Sequence, residues 1–211
     1  MYDLPYFKEQ DKETVLAFMR QYPFVFLSGV DENNKPVASQ VPVFIDEKEG
    51  KLYLTGHIMK NTDHHKAFVK NVNVLVIFVG PHCHVSASWY PNPVQASTWN
   101  YMTVHAKGKI SFKDEIQTKK IIEAITNKYE SFESVAAFRN LSQEYVDRLV
   151  KAITGFTIEV ENIDNVFKLS QNHEQETRQR IIEHLNENGS YDEKKIAAEM
   201  LQRIDIPKMH K

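Results

Sequence analysis

The chain has 211 residues, of which 42% are hydrophobic and 26% charged, and its formal net charge is −2. This composition is typical of an ordinary globular protein and excludes a fibrous or disordered chain. The slight negative balance provides no general attraction for nucleic acids or anionic membranes, so we do not expect direct binding of nucleic acid. The length suits one main domain with a helical appendage.

The cysteine content and the amino terminus both indicate an intracellular protein. Cys83 is the only cysteine, which excludes an intrachain disulfide and fits a reducing compartment. The first residues, MYDLPYFKEQDKET, lack the basic and apolar regions of a secretory signal. The longest apolar run, at 74–79, is far shorter than the ~20 residues of a transmembrane helix. We therefore expect a cytoplasmic protein with no membrane partner.

The first half of the chain predicts a helix followed by antiparallel strands. Asp11 is placed to cap a helix at 11–20. Strands are predicted at 24–30, 37–45 and 51–55, and Pro42 implies a bulge or an unpaired edge in the second of these. A helix or loop at 60–70 precedes strands at 72–79, in the His/Ser-rich segment that follows, and at 98–112. Fifteen residues are too many for a flat strand, so we expect the last one to coil around a barrel.

The second half is predicted to be mainly helical. Asp114 begins a helix that runs to 129, and Ser142 caps another. Strands at 155–161 and 166–171 close the sheet, and Gly189 is the expected C-cap between helices at 174–188 and 192–204. The fold class is therefore α+β, mainly antiparallel β: a small β-barrel with peripheral and C-terminal helices. We expect residues 1–172 to form the barrel domain, with inserted helices at 114–153, and residues 173–211 to form a helical extension packed on it.

The densest run of chemical groups lies at 80–108. On a regular strand, five hydrogen-bonding side chains would share one face: His82, His84, Ser86, Ser88 and Tyr90. A solvent-facing strand would show the same alternation. Exposed strand faces usually carry Lys, Glu and Thr, however, so this composition indicates an enclosed polar ligand.

Other chemistries have weaker signals. His82 and His84 could converge on a metal ion, but Cys83 would point away on a strand, and no HExxH or CxxC motif is present. We therefore predict no metal site. There is no GxSxG motif and no glycine-rich phosphate loop. A phosphate could still bind at the strand end formed by Thr55, His57 and Lys60, although a plain strand-to-helix turn explains the same residues.

Five segments, in chain order, carry a resemblance to a known family: MYDLPYF, GHIMKN, GPHCHVSASWY, STWNYMTVHAKG and KLSQNH. With them the chain resembles the PaiB-type family of FMN-binding split-barrel proteins, often described as negative transcriptional regulators. The resemblance implies a split β-barrel like that of pyridoxamine-phosphate oxidases, a homodimer and an FMN site at the dimer interface. We expect strand 98–112 to contribute to that interface. Lys60 stands where the family usually has arginine, which keeps the charge but loses the bidentate fork.

The strand-end turn and the resemblance together imply a set of cofactor contacts. Lysine and hydroxyl groups suit phosphate and ribityl oxygens, whereas aromatic and amide groups suit an isoalloxazine ring. The predicted cofactor-binding residues are Thr55, His57, Lys60, Ser86, Ser88, Trp99, Asn100, Tyr101, His105, Lys168 and Gln171. No catalytic residue is assigned, because a flavin can supply the reactive atom itself.

Three functional hypotheses follow. The leading one is a cytoplasmic homodimer that binds FMN and has flavin-dependent redox activity. The first alternative is a regulator without catalysis, in which a bound ligand sets a state that a partner reads and any effect on DNA is indirect. The second is haem binding through a histidine such as His84 or His173.

Overall fold

In the computed structural model of the protein, residues 1–205 are described. They form seven β-strands and six α-helices, together with short 3₁₀ turns. The strands are β1 Phe24–Val30, β2 Pro36–Pro42, β3 Phe44–Lys48, β4 Lys51–Met59, β5 Asn73–Val85, β6 Thr98–Phe112 and β7 Ile153–Lys168. The helices are α1 Lys12–Gln21, α2 Asp63–Lys70, α3 Glu115–Tyr129, α4 Gln143–Ala152, α5 Gln175–Asn188 and α6 Tyr191–Gln202.

The strands form one sheet in the order β2-β1-β5-β6-β7-β4-β3. Strand β1 pairs antiparallel with β2 and with β5. Strand β4 pairs antiparallel with β3 and with β7. The predicted α+β class with mainly antiparallel strands is therefore confirmed.

Most predicted elements form, but several strand boundaries differ. The strand predicted at 51–55 continues to Met59, so Thr55 and His57 lie within it and not at its end. The segment at 37–45 is divided at Val43, whose N–H donates to the carbonyl oxygen of Pro23 at 2.9 Å instead of continuing the strand. The two strands predicted around residue 80 are one strand of 13 residues. The two strands predicted at 155–171 are likewise one strand of 16 residues. Turn-forming residues within these long strands wrongly suggested breaks, because pairing with distant neighbours keeps each strand continuous.

Strand β5 changes its inward-facing side part-way along its length. Even-numbered residues from Val74 to Gly80 are buried, whereas Cys83 and Val85 are buried after it. Gly80 and Pro81 are both buried, which is the one-residue shift expected of a β-bulge. The shift leaves the side chains of His82 and His84 exposed, which is the solvent-facing alternative that the alternation of residues also allowed.

The predicted hydrogen-bonding face ends with this strand, so its extension to Tyr90 is wrong. Ser86 caps a 3₁₀ turn at Ala87–Trp89, and its side chain accepts from the N–H of Ser88. Beyond the turn, Tyr90 is buried, with 4% of its surface exposed. A side-chain cap competes with the sheet for the backbone N–H groups, and here the cap prevails.

The chain divides into two compact units. Unit 1 contains Met1–Phe18, Val79–Val104 and residues 164–205, and unit 2 contains Met19–Phe78 and His105–Ile163. Strands β5, β6 and β7 therefore contribute residues to both units. The domain division predicted at residue 172 remains a proposal.

Each unit has its own apolar core. In unit 1, helices α5 and α6 pack on each other through buried residues that include Ile181, Leu185 and Ile196. In unit 2, the strands bury alternate residues such as Leu27, Leu54 and Phe156, and a separate cluster fills the space under α3 and α4. This second cluster consists of Ile122, Phe138, Val146 and Val150.

The helix ends follow the predicted capping residues. The Asp114 side chain accepts from the N–H of Gln117, and the Ser142 side chain accepts from that of Tyr145. Ser190 and Glu193 form a complete capping box at the start of α6. Gly189 is the C-cap of α5 as predicted, although its φ of −77° is not left-handed. No helix within residues 1–205 is long and apolar enough to cross a membrane.

Candidate functional site

Four of the predicted cofactor contacts lie in unit 2: Thr55, His57, Lys60 and His105. Thr55 and His57 lie on the same face of β4 and are partly buried. Leu54 and Ile58, on the other face of that strand, are buried in the core. His105 is partly buried on β6. Thr55, His57 and His105 therefore combine access to ligands with a fixed backbone, because each lies on a paired strand, whereas Lys60 follows the end of β4.

A cavity of about 300 Å³ lies beside His57 in unit 2. Five of the residues that line it carry polar side chains: Ser39, Gln40, His57, Thr62 and His64. Four of these five residues, all except His57, were not among the cofactor contacts predicted from the sequence. The available signal was a polar pair, Ser39 and Gln40, inside a strand whose following residue, Val41, is buried.

His57 lines this cavity and has a hydrogen-bonding atom without a partner. Its Nδ1 is buried and makes no hydrogen bond within the described part of the chain. Burial also lowers the pKa of His57, so the imidazole is neutral near pH 7. A buried polar atom without a partner is costly, and a polar ligand would remove that cost. The cavity therefore fits a ligand with hydrogen-bonding groups, such as the phosphate and ribityl parts of FMN.

Thr62 and His64, which line this cavity, are fixed by hydrogen bonds at the start of α2. Thr62 caps the helix, and its Oγ1 lies 3.0 Å from Nε2 of His64. Nδ1 of His64 lies 3.1 Å from Oδ1 of Asp63. The hydrogen bond from the backbone N–H of His64 lowers the pKa of Asp63, so this carboxylate is charged near neutral pH. His64 is thus fixed between two partners, unlike His57.

Lys60 has a structural partner. Its Nζ donates to the carbonyl oxygen of Val150 at 2.9 Å, in the last turn of α4. Carbonyl groups in the last turn of a helix lack partners within the helix and carry partial negative charge, so this contact caps α4. The predicted contact between Lys60 and a phosphate stays a prediction, and it would compete with this cap.

The other predicted contacts lie in unit 1: Ser86, Ser88, Trp99, Asn100, Tyr101, Lys168 and Gln171. The hydroxyl oxygens of Ser86 and Ser88 lie 2.8 Å apart, so the two side chains bond to each other. The next residue, Trp89, stacks on His184 of α5, with the ring centroids 5.1 Å apart and the planes inclined at 16°. The serine turn is thus joined to the C-terminal helices of its own unit.

Trp99 is the most exposed of these aromatic residues, with 55% of its surface accessible. Its ring centroid lies 6.2 Å from that of His82 and 5.8 Å from that of His84. The Nζ of Lys168 donates to Oγ1 of Thr98 and to the carbonyl oxygen of Trp99, at 2.6 Å each. Trp99 and Lys168 are therefore brought together with two histidines that were not in the predicted set.

Asn100 lies on the opposite face of β6 and is completely buried. Its Oδ1 accepts from Oγ of Ser170 at 3.1 Å, and its Nδ2 lies 3.4 Å from Sδ of Met200. Both ends of the amide are thus occupied by the core of unit 1. The predicted contact between Asn100 and the cofactor stays a prediction, since nothing here places a ligand beside it.

Tyr101 and Gln171 also have partners within unit 1. Tyr101 packs against a cluster formed by the N-terminal Tyr6 and Phe7 with Val166. Gln171 holds the turn after β7, because its Oε1 accepts from the N–H of Leu169 at 2.7 Å and its Nε2 donates to the carbonyl oxygen of Phe167. Their predicted contacts with the cofactor stay predictions.

The structure adds two facts about other candidate chemistries. Burial raises the pKa of the Cys83 thiol to about 12, so it is not a thiolate nucleophile near neutral pH. Among residues 1–205, no group of three or more His, Cys, Asp or Glu side chains is arranged to hold a metal ion.

Sequence comparison identifies the family. The model of the family described as "Putative FMN-binding domain" matches residues 1–162. The chain belongs to this PaiB-type, FMN-binding family. It is 31% identical over 205 residues to "Protease synthase and sporulation protein PAI 2" of Bacillus subtilis, and the match covers 97% of this chain and 98% of that protein.

Solved structures show the same fold at low sequence identity. An FAD- and haem-binding protein from Mycobacterium smegmatis superposes with a TM-score of 0.57 at 13% identity, over 77% of this chain and 73% of that one. The conserved hypothetical protein Rv2991 from Mycobacterium tuberculosis gives a TM-score of 0.52 at 9% identity, over 79% of this chain and 91% of that one. The predicted split-barrel fold is confirmed.

Proposed function

We propose that this protein binds FMN and uses it for redox chemistry. The observation that carries the proposal is the cavity beside His57, where a buried nitrogen lacks a partner in a chain of the FMN-binding family. FMN, when bound, supplies the electron and hydride transfer. The chain binds and orients it, and side chains near the ring tune its electronic properties through hydrogen bonds.

The proposed FMN contacts begin with the residues of β4 and the residue that follows it. Thr55 and His57 offer hydrogen bonds to the polar arm of the cofactor, and Lys60 can add a positive charge if it leaves its helix cap. The sequence also predicts FMN contacts at Ser86, Ser88, Trp99, Asn100, Tyr101, His105, Lys168 and Gln171.

The size of the cavity favours a site that a second copy of the chain completes. A volume of about 300 Å³ is at the lower end of the ~300–1,000 Å³ range of pockets that enclose small molecules. It can enclose one end of FMN, while the other end needs cover from elsewhere. We therefore propose a homodimer in which the partner contributes to the site.

Exposed apolar side chains on unit 2 support the dimer. Phe24 and Phe26 lie on the same face of β1 and are 58% and 40% exposed, respectively. Phe26 lies opposite Ile77 of β5, which is only partly buried. Adjacent apolar groups of this size are typical of surfaces that bind another protein. Sedimentation at micromolar concentration should give a dimer, and Phe26→Glu should shift it towards monomer.

His57→Phe tests the proposed flavin site. Replacing an unsatisfied buried polar group by an apolar one should leave the apo protein as stable as the parent or more stable. The same change should weaken FMN binding at least tenfold, measured by the quenching of flavin fluorescence. His65→Phe is the matched control, since His65 lies on α2 outside the cavity lining. Equal FMN affinity in His57→Phe and the parent would rule out this cavity as the flavin site.

An absorbance spectrum of the purified protein separates the main alternatives. Flavin bands support FMN binding, whereas a Soret band would indicate haem, with exposed His84 as a candidate ligand.

A turnover assay separates an enzyme from a regulator. A regulator without catalysis would bind flavin but transfer no electrons from a nicotinamide donor to an artificial acceptor. Redox turnover that exceeds the rate with free FMN favours the enzyme.

A further inference from the structure

Lys168, the last residue of β7, has an ammonium group with no carboxylate partner in the described part of the chain. Its two acceptors are the Thr98 hydroxyl and the Trp99 backbone carbonyl, both of which are neutral. An ammonium group has three N–H donors, and its further neighbour is the Phe7 ring, whose centroid is 5.6 Å from Nζ, so one N–H remains for another acceptor. Burial lowers the pKa of Lys168, because desolvation disfavours its charged form. The site therefore has an unmet preference for negative charge.

The donor count indicates which kind of anion fits. One remaining N–H can bind one carboxylate oxygen with good geometry. A phosphate dianion has three oxygens to satisfy, and sites that bind it usually converge several donors, often backbone N–H groups at a helix start. The surroundings of Lys168 therefore suit a carboxylate better than a phosphate.

The surface beside Lys168 is aromatic. Trp99 exposes more than half of its surface, and its ring has the imidazoles of His82 and His84 within about 6 Å. Both histidines are exposed on β5. Planar rings gain from offset or edge-to-face contact with such groups. The three side chains together form an open platform, which we call the Trp99 platform.

We infer that Lys168 and the Trp99 platform form a subsite for an aromatic carboxylate that binds together with the flavin. The carboxylate accepts from the remaining N–H of Lys168, and the aromatic ring lies against Trp99. This inference rests on the proposed function in one respect: the ligand is a substrate or effector of the flavin site and not the flavin itself. It assigns Lys168 and Trp99 to a ligand other than the cofactor, in place of the FMN contacts predicted for these two residues.

Calorimetric titration of the full chain with 2-naphthoate tests the inference. We expect binding both without FMN and in saturating FMN, and at least tenfold weaker binding of the neutral analogue 2-naphthamide. Lys168→Met should weaken naphthoate binding at least tenfold and abolish the preference for the acid. Lys168→Arg should retain most of the affinity, because it restores the positive charge. Trp99→Ala should weaken both ligands, since it removes the ring contact.

The controls separate binding from folding. Lys107→Met removes an exposed lysine from β6 and should leave naphthoate affinity unchanged. Thermal melting of each variant shows whether it is folded. If Lys168→Met does not fold, Lys168→Arg and Trp99→Ala, together with the comparison of acid and amide on the parent, still decide the question.

Four results would each overturn the inference. These are no binding of naphthoate at millimolar concentration, equal affinity for acid and amide, unchanged affinity in a folded Lys168→Met variant, and displacement of naphthoate by FMN. FMN binding is measured separately by flavin fluorescence. A chain that binds FMN but not naphthoate refutes the subsite alone, whereas one that binds naphthoate but not FMN refutes the proposed flavin site.

Discussion

The two compact units hold their polar side chains in different ways. In unit 2, His57 has a buried nitrogen without a partner beside a cavity, so the folded chain itself leaves a polar group to be satisfied. In unit 1, Asn100 and Gln171 are both engaged by neighbours, and the open chemistry lies at the surface around Trp99 and Lys168. An enclosed polar group without a hydrogen-bond partner favours a tightly bound cofactor, whereas exposed side chains favour a ligand that dissociates readily.

The largest expected effect concerns close packing of the backbone. A Cβ at Gly108 of unit 2 would overlap the backbone carbonyl of Glu159, whereas one at Gly80 of unit 1 would mainly meet the ring of Phe18. A ring can shift more easily than a paired strand, so Gly108→Ala should lose about 3 kcal/mol or more of unfolding free energy and Gly80→Ala about half of that. Urea denaturation measures both, with Lys107→Ala as the control. Equal losses would mean that the sheet yields as readily as a side chain.

Asn100→Ala tests whether the polar core of unit 1 is structural. Loss of the amide leaves the Ser170 hydroxyl without its acceptor, so we expect about 2 kcal/mol of destabilisation. Affinity for FMN should be nearly unchanged if Asn100 serves only the core. Urea denaturation and flavin fluorescence give the two values, and Lys107→Ala, which changes an exposed residue of β6, is the control. A large loss of FMN affinity with little change in stability would restore Asn100 as a cofactor contact.

Lys60→Met separates the helix cap of unit 2 from a role in binding. The variant keeps most of the side-chain length but loses the hydrogen bond to Val150, which should cost about 1 kcal/mol. Thermal melting and FMN titration should be run on the same samples. Lys66→Met, which removes an exposed lysine from α2, is the control. If FMN affinity falls while stability is unchanged, Lys60 is a phosphate ligand and the cap is incidental.

The smallest expected effect is a dependence of stability on pH. The pKa of His57 is lowered by burial, so the unfolded chain takes up a proton near pH 6.5 while the folded chain does not. The free energy of unfolding should therefore fall as the pH decreases from 7 through 6.5 towards the folded pKa. His57→Gln should reduce that slope, and the lowered pKa of His65 should maintain the rest. His82→Gln tests whether loss of any histidine has the same effect, and parallel profiles for all three proteins would contradict the assignment.

The sequence by itself determined the features that depend on local patterns. The caps at Asp114 and Ser142 form as predicted because a side chain bonds to N–H groups three residues away. Strand β6 has the predicted boundaries, since its alternation of buried and accessible residues is continuous over 15 positions. The family motifs also lie in the sequence, and they were sufficient to predict the split barrel.

Tertiary structure alone decided which groups meet. Nothing local distinguishes Asn100 from Trp99 as a ligand contact, yet pairing in the sheet buries the first completely and leaves the second more than half exposed. The helix cap made by Lys60 joins residues 90 positions apart, and the cavity joins β2, β4 and the start of α2. Such contacts depend on how distant segments pack, because side-chain identity fixes what a residue can bind but not what lies within reach.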